Sequence, residues 1–474
     1  MAAPQGSAPH AGHPPATTPS AAPPTDPFTI LRSRRYLGLL ALAAVLGVPI
    51  SAVAYGFLVL VGGLQRWTFQ GLPASLGFAA APLWWPLLPL GVAGLLVGVV
   101  VRYLPGRGGE SPADGFHSAG YPEPAALGGI AAAAVASIGL GVVVGPEAPL
   151  IALGGGLAVV ALRLARRGAA PASVASVVAA TGSFAAVSTL FGNPLAGAFL
   201  MMEAIGLGGA TATMVLVPGL LGSGIGSLVF LGLDSWTGFG TFSLAIPNLP
   251  HAPSPTVASL AWAVVTGVVA GGLCFAIRWV ALRLRPVVVP RPVLLTPLVG
   301  LAIGALAVVF AAATGHGASD VLFSGQDALG PLLQDPAAYG LGALLLLIAC
   351  KGLAYAGALS SFRGGPTFPA MYLGAVGGTA LALLPGLDPL SGAAIGMGAM
   401  TVGMLRLPLT SVLLATLFLG SAGMAVVPLV IVGVVTSYIV TLRLPDPAGT
   451  RSPSPGEAAP AAPGKHRTHD RTQS

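Results

Sequence analysis

Long stretches of this chain contain no charged residue. They lie between residues 36 and 442 and comprise 36–65, 67–101, 168–202, 204–233, 235–277, 292–319, 364–405 and 407–442. A bilayer crossing needs about 20 apolar residues, so several runs can hold two crossings, or one crossing and a shorter re-entrant helix. Only 7% of the residues are charged, against about 25% in a typical soluble domain. This balance excludes a soluble enzyme, a nucleic-acid-binding protein and a disordered scaffold.

The basic residues predict how the chain sits in the membrane. The formal net charge is +7, and the arginines gather beside the apolar runs. Arg32, Arg34 and Arg35 precede the first run, and Arg443 follows the last. Cytoplasmic loops of membrane proteins carry an excess of Lys and Arg. The pattern therefore predicts a multi-pass protein of the cell (inner) membrane with both termini in the cytoplasm.

The apolar runs favour helices throughout. The chain has 68 Gly and 44 Pro residues, many of them inside these runs. That composition is typical of helices that pack closely in lipid or break around a polar cavity. The sequence predicts an all-α polytopic membrane domain over 31–444. Disordered tails rich in Pro and Ala are predicted at 1–30 and 445–474.

A short segment occurs twice in the chain. Residues 145–154, GPEAPLIALG, return at 365–374 as GPTFPAMYLG. Five positions match at one spacing: Gly145 with Gly365, Pro146 with Pro366, Pro149 with Pro369, Leu153 with Leu373, and Gly154 with Gly374. Two further pairs follow in the same order: Asn193-Pro194-Leu195 with Leu407-Pro408-Leu409, and Val217-Pro218 with Val427-Pro428. The repeat predicts two halves, about 36–232 and 258–442, which are inverted if each crosses the membrane an odd number of times.

The repeated Gly-Pro-x-x-Pro segment suits the start of a helix that lines a cavity. Gly permits close approach of the backbone, and Pro is preferred in the first helical turn. A helix N-terminus presents unbonded N–H groups and the positive end of the helix dipole, which together favour an anion. Two such segments, one from each half, are therefore predicted to face one anion site from opposite sides.

These residues give the chain a resemblance to the CLC family of chloride channels and chloride/proton antiporters, over about 36–442. Four segments carry it, in the order of the family: Ser118-Ala119-Gly120-Tyr121-Pro122 resembles Gly-Ser-Gly-Ile-Pro, Gly145-Pro146-Glu147-Ala148-Pro149 resembles Gly-Arg-Glu-Gly-Pro, Asn193 to Gly197 with Glu203 resembles Ala-Pro-Leu-Ala-Gly…Glu-Glu, and Gly364 to Pro369 resembles Gly-Gly-Ile-Phe-Ala-Pro. The resemblance implies a CLC-type inverted repeat with broken and re-entrant helices, and transport of chloride or a similar small anion across the lipid bilayer.

Glu147 is the residue that both lines of reasoning single out. A carboxylate inside an apolar span costs several kcal/mol unless it has a partner or a function. By resemblance Glu147 is the gating glutamate, which competes with the anion when ionised and swings away when protonated. A carboxylate at a helix N-terminus also mimics a bound halide on physical grounds. The alternative is a glutamate that only caps its own helix.

The resemblance also implies the positions that contact the anion. They are Ser118, Ala119, Gly120, Gly145, Ala148, Thr367 and Phe368. The chain departs from the family pattern in several places: Ala119 stands at the serine position, Pro146 and Pro366 each remove an N–H donor, and no tyrosine follows Arg443, with Tyr438 inside the preceding run. Thr367 is a hydroxyl at the position of the family phenylalanine. It is predicted either to replace a missing ligand or to bond only its own helix backbone.

Glu203 bears on whether transport is coupled to protons. In antiporters of the family this stretch often ends Glu-Glu, and the second glutamate feeds protons from the cytoplasm. Here the chain reads Met202-Glu203-Ala204, so Ala204 stands at the proton-feeding position. Glu203 is predicted to be a structural, hydrogen-bonded group, with a place in a proton path as the alternative. The loss favours a passive channel, and a proton-coupled chloride/H+ antiporter is the alternative.

Other functions and partners follow from the same residues. Fluoride or nitrate is an alternative substrate, because the family serine and tyrosine are missing. An intramembrane enzyme using Glu147 and Glu203 is a remote alternative, since no His-x-x-x-His, Gly-x-Ser-x-Gly or Asp-rich metal motif is present. The resemblance implies a homodimer with one pore in each subunit. No cofactor, metal or nucleic acid is implied.

Four charged residues outside these motifs have simpler predicted places. Lys351 is flanked by apolar residues. It is expected to extend to the membrane interface, with a cavity cation as the alternative. The stretch that holds Asp320, Asp327 and Asp335 links two apolar runs, so these are predicted to be solvated loop charges.

Overall fold

The computed structural model describes residues 32–115, 120–166, 168, 171–206, 209–238, 246–250 and 252–445. The predicted disordered tails lie outside the described residues, apart from residue 445. So do two predicted anion contacts, Ser118 and Ala119.

Within the described ranges the chain is built of α-helices joined by turns, loops and short 3-10 helices. The helices are α1 (Arg34–Arg66), α2 (Leu87–Tyr103), α3 (Leu127–Gly139), α4 (Glu147–Arg166), α5 (Ala172–Phe191), α6 (Pro194–Ile205), α7 (Gly209–Thr237), α8 (Val257–Val288), α9 (Pro292–Thr314), α10 (Gln326–Gln334), α11 (Leu341–Ser361), α12 (Thr367–Leu381), α13 (Pro389–Leu405), α14 (Pro408–Leu419) and α15 (Gly423–Arg443). Helix α1 continues through a π-helical turn, Trp67–Gly71, into the short helix Leu72–Ser75.

The lengths of these helices show a membrane protein with both complete and partial crossings. Among the described residues, 8 helical segments are long and apolar enough to span a bilayer. Helices α6 and α14 have 12 residues each. At 1.5 Å per residue they reach only about 18 Å, short of the roughly 30 Å hydrocarbon layer. The predicted all-α, multi-pass fold with re-entrant helices is therefore confirmed.

Close packing of equivalent helices repeats between the two parts of the chain. In the first, α4 contacts α5 where Gly154 lies against the Gly182 carbonyl; in the second, α12 contacts α13 where Gly374 lies against the Gly396 carbonyl. A methyl group at any of these glycines would collide with backbone across the contact. Small residues let helices approach closely in lipid, where dispersion replaces the hydrophobic drive. Helix spacing in both parts therefore depends on the absence of side chains at matching positions.

The turns that follow α5 and α13 also correspond. Gly192 ends α5 with φ 58°, and Arg406 ends α13 with φ 59°, both in the left-handed region. Two residues later Pro194 and Pro408 begin α6 and α14. This shared backbone conformation supports the predicted repeat. The limits of the two halves, about 36–232 and 258–442, stay predictions.

Lys351 lies inside the protein, so the prediction that it extends to the interface was wrong. Its side chain is fully buried, and its ammonium donates to the backbone carbonyls of residues 320–323 at 3.0–3.4 Å. The ammonium also lies 4.7 Å from the centre of the Tyr372 ring on α12. A buried cation is stable only when its protons are all received. Here a loop and an aromatic face receive them, and Lys351 thereby fixes that loop against α11 and α12.

Asp320 is also misplaced by the sequence prediction. It is only 9% exposed, and its carboxylate accepts a hydrogen bond from the Tyr339 hydroxyl at 3.0 Å. Burial raises the pKa of Asp320, and the bond from Tyr339 together with the charges of Lys351 and His316 opposes that rise. Asp327 and Asp335 are exposed, as predicted, but Asp327 lies in the first turn of α10 rather than in a loop, where a carboxylate favours the helix N-terminus.

The glycine contact between α12 and α13 predicts a sharp difference between two neighbouring substitutions. Gly374→Ala would place a methyl group against the Gly396 carbonyl and force the helices apart, at a cost of about 1–3 kcal/mol. At Gly377, on the same helix, a methyl group would have no atom within 4 Å. Gly377→Ala should be neutral or stabilising by up to about 1 kcal/mol, because Ala favours the helix. Thermal melting of both variants in detergent tests this, and equal melting temperatures would contradict it.

Candidate anion site

The two copies of the repeated segment meet at one point. Gly145 and Gly365 exchange two backbone hydrogen bonds, of 2.8 Å from the Gly145 N–H and 2.6 Å from the Gly365 N–H. They form an antiparallel bridge outside any strand. Equivalent residues paired in this way are related by a local two-fold axis. The prediction that the two segments meet from opposite sides is confirmed, and the binding of an anion there stays a prediction.

Two helix N-termini converge at this bridge. Helix α4 begins at Glu147 and α12 at Thr367, each two residues after its bridging glycine. The first N–H groups of a helix have no partner within the helix. Pro149 and Pro369 lack an N–H, so each first turn has few hydrogen-bond donors. Because the two helices begin beside the same bridge, the positive ends of their dipoles face the same small volume.

The Glu147 carboxylate occupies that volume. It is fully buried, and its Oε1 atom accepts a hydrogen bond from the Thr367 N–H at 2.5 Å. Its Oε2 atom is buried and has no hydrogen-bond partner among the described residues. A carboxylate on α4 thus covers the N-terminus of α12, in the position that an anion would take.

Glycine at both bridging positions makes room for this carboxylate. A methyl group at Gly145 or at Gly365 would overlap the Glu147 side chain. Beside it the Thr367 hydroxyl is fully buried and close to the same carboxylate, although the two do not form a well-aligned hydrogen bond. A hydroxyl and a carboxylate oxygen therefore lie next to each other at the same helix start.

The remaining predicted anion contacts divide into two groups. Ala148 follows Glu147 in the first turn of α4 and is half-buried. Phe368 is buried in the first turn of α12, its ring 5.9 Å from Phe191 and 6.1 Å from Phe418, centre to centre. Gly120 lies apart from both, exposed in a loop with φ 103°.

Gly120 lies beside a later turn of α4, far from the N-terminus of that helix. Two residues after it, Pro122 contacts Gly156, which lies nine residues along α4 from Glu147. Nine residues of helix span about 13 Å. The structure therefore does not bring Gly120 to the Glu147 carboxylate.

Glu203 joins the two parts of the chain at a second place. Its carboxylate, at the end of α6, accepts hydrogen bonds from the Leu409 N–H at 2.9 Å, the Thr410 N–H at 2.8 Å and the Thr410 hydroxyl at 2.7 Å. These are the first residues of α14. The equivalent start of α6 is capped by its own Asn193 side chain, whereas Leu407, which precedes α14, offers no such oxygen. Glu203 supplies the missing cap from the other half.

Tyr355 is a neighbour of the site that sequence reasoning missed. It is fully buried on α11, and its hydroxyl donates to the Pro366 carbonyl at 2.6 Å, next to Thr367. The only sequence feature that could have marked it is a polar-tipped aromatic within a run of small apolar residues. Tyr438, the tyrosine nearest the end of the last apolar run, is half-buried on α15.

A cavity reaches the site from one side. Its volume is about 670 Å³, and Pro146, which directly precedes Glu147, forms part of its wall. Its polar lining includes Gln65, Arg66, Ser324 and Asp327. Small polar solutes that enter this cavity can approach to within one residue of the buried carboxylate. Within the described ranges no cluster of three or more His, Cys, Asp or Glu residues is placed to hold a metal ion.

In this multi-pass helical protein two equivalent helix N-termini converge on a buried carboxylate. That is the architecture of an ion transporter. The chain belongs to the voltage-gated chloride channel family: residues 94–442 match the family described as Voltage gated chloride channel. It is a transporter family, and its members move anions. The sequence is 29% identical over 355 residues to a putative ion-transport protein YfeO of Salmonella schwarzengrund, covering 74% of this chain and 82% of that one. The same values hold for the YfeO protein of Salmonella typhimurium.

Solved structures share the fold at low sequence identity. A slow cyanobacterial Cl-/H+ antiporter matches with a TM-score of 0.69 at 19% identity, over 85% of this chain and 94% of that chain. A CLC-type fluoride/proton antiporter matches with a TM-score of 0.61 at 18% identity, over 85% and 95% of the two chains. The CLC-type fold implied by the family resemblance is therefore confirmed.

The cap that Glu203 supplies predicts a graded loss of stability. Glu203→Ala leaves the Leu409 and Thr410 N–H groups without their acceptor, at a cost of about 1–2 kcal/mol. Glu203→Gln keeps one carbonyl oxygen within reach but loses the charge that favours a helix N-terminus, and should lose about half as much. In detergent the melting temperature should be highest for the wild type, intermediate for Glu203→Gln and lowest for Glu203→Ala. An alanine variant that melts with the wild type would show that this contact stabilises nothing.

Proposed function

We propose that the protein transports chloride, or a similar small anion, along a path that passes through the position of the Glu147 carboxylate. The hydrogen bond from the Thr367 N–H to Glu147 Oε1 carries this proposal. It places a negative group on a helix N-terminus at the point where a second N-terminus converges. A group that binds there as a carboxylate occupies a site suited to a free anion.

The proposed gate follows from the charge of Glu147. When ionised, the carboxylate holds the Thr367 N–H and keeps the anion out. When protonated it loses its negative charge and the attraction to both helix dipoles. Its side chain can then leave toward the cavity that Pro146 lines, and the anion takes its place. Anion entry is thereby linked to the uptake of one proton by Glu147.

The anion contacts proposed here are fewer than in the family pattern. Pro146 and Pro366 donate no N–H, so the Thr367 N–H and the first turns of α4 and α12, with Ala148 and Phe368, would provide the backbone groups. The Gly145 N–H is bonded to the Gly365 carbonyl, so Gly145 would contribute only the space that a residue without a side chain leaves. The Thr367 hydroxyl lies beside the Glu147 carboxylate and is the side chain best placed to bond an anion that takes its place. Gly120 would belong to a second position, deeper along α4. Ser118 and Ala119 stay predicted contacts.

The gate predicts how anion flux depends on pH. In wild type the flux should rise as pH falls, by at most about tenfold per pH unit, because one proton neutralises Glu147. Glu147→Gln carries no charge at any pH, so its flux should be high and flat. Chloride efflux from proteoliposomes at several pH values measures this. Glu123→Gln, at an exposed position, is the matched control and should keep the wild-type profile. A Glu147→Gln variant with the wild-type pH profile would contradict the gate.

We further propose that the transport is passive. Ala204, at the family's proton-feeding position, has no ionisable side chain. The Glu203 carboxylate is held by the N-terminus of α14 through three hydrogen bonds, which favours a structural role over a proton relay. The alternative is a proton-coupled antiporter in which another group feeds the proton to Glu147.

Proteoliposome efflux with simultaneous recording of external pH separates these two modes. A passive channel should release chloride without moving protons against their gradient. Proton uptake driven by chloride efflux would contradict the passive mode and favour the antiporter. Fluoride or nitrate efflux in place of chloride would keep the site and change the substrate, an alternative that the missing family serine and tyrosine support. A protein-free vesicle preparation controls for leak.

The assembly and orientation are also proposals. The family resemblance supports a homodimer with one pore per subunit. The arginines at the start of α1 and at the end of α15 support a cell inner-membrane protein with both termini in the cytoplasm.

A further inference from the structure

Tyr355 and Glu147 bind opposite ends of one peptide unit. The Pro366 carbonyl accepts from the Tyr355 hydroxyl at 2.6 Å, and the Thr367 N–H donates to Glu147 Oε1 at 2.5 Å. That C=O and N–H belong to the same planar amide. The Tyr355 hydroxyl and the Glu147 carboxylate are therefore connected through the O, C and N atoms of this amide.

Polarisation passes through such an amide. A hydrogen bond received by the oxygen draws electron density away from the nitrogen and makes its N–H a stronger donor, by roughly 10–30% per bond in condensed-phase estimates. The effect is largest where water is absent. Both Tyr355 and Thr367 are fully buried.

Helix α11 also orients this peptide. Lys351 and Tyr355 lie four residues apart and so share one face of α11. Lys351 contacts the Tyr372 ring in the second turn of α12, while Tyr355 holds the residue before the first turn. The start of α12 is thus fixed at two points by one helix.

We infer that Tyr355 is a positioning residue for anion binding: its phenol orients and strengthens the Thr367 N–H that the anion and the Glu147 carboxylate use in turn. The inference deepens the proposed function and rests on it. It requires no direct contact between Tyr355 and the anion.

Because both ligands use the same donor, Tyr355→Phe should have unequal effects in two backgrounds. In Glu147→Ala the anion meets no competing carboxylate, and its affinity should fall about three- to tenfold. With Glu147 present the weaker donor also holds the carboxylate less tightly, so the loss of affinity should be smaller. Tyr372→Phe is the matched control, because the Tyr372 hydroxyl is buried without a partner among the described residues, and it should leave the affinity unchanged.

Isothermal titration of the purified protein with chloride and with fluoride measures these affinities without requiring transport. Equal losses in both backgrounds, or the same loss in Tyr372→Phe, would overturn the inference and indicate general loosening. An unchanged affinity in Glu147→Ala with Tyr355→Phe would also overturn it, while leaving the proposed function in place. If Glu147→Ala binds neither anion, the proposed function fails first and the inference with it.

A second variant keeps the test decisive if Tyr355→Phe does not fold. Incorporation of 3-fluorotyrosine at position 355 retains the ring and makes its hydroxyl a stronger donor. Anion affinity in the Glu147→Ala background should then rise rather than fall. A lower or unchanged affinity in this variant would overturn the inference.

Discussion

The reciprocal backbone pairing of Gly145 with Gly365 is the contact on which the site depends. It fixes the starts of α4 and α12 against each other and so turns two ordinary helix N-termini into one electropositive volume. Neither half contains that volume alone. Glycine is required at both bridging positions because a side chain at either one would overlap the Glu147 carboxylate.

Two hydrogen-bonded contacts join the two halves of the chain, and in both a carboxylate bonds backbone N–H groups. Glu147 on α4 accepts from the backbone of α12, and Glu203 on α6 accepts from the backbone of α14. In each case a carboxylate from the first half covers a helix N-terminus of the second. The difference lies in their surroundings. Both oxygens of Glu203 accept well-aligned hydrogen bonds, whereas only Oε1 of Glu147 does so among the described residues. The carboxylate with the poorer hydrogen-bond geometry is the better suited of the two to leave its place.

The sequence was informative where chemistry is local. The repeated segment predicted a shared site because Gly and Pro constrain the backbone wherever they occur, and the uncharged runs predicted the membrane fold from length alone. Tyr355, the burial of Lys351 and the burial of Asp320 were not predictable in this way. Each depends on a partner from a distant segment, such as the carbonyls of residues 320–323 for Lys351. No pattern in the flanking residues encodes such a partner. The predicted contacts Ser118 and Ala119 lie outside the described residues.

The bridge also bears on the order in which the protein is made. Its two glycines are far apart in the chain, and contacts of large sequence separation form late because the intervening chain must first be ordered. Helices of a membrane protein can insert one by one before they pack together. If the helices insert in chain order, Glu147 enters the bilayer before the Thr367 N–H is in place to bond it, when an ionised carboxylate is costly. Protonation of Glu147 during biogenesis would relieve that cost, so the acid–base chemistry proposed for transport would first be used in assembly.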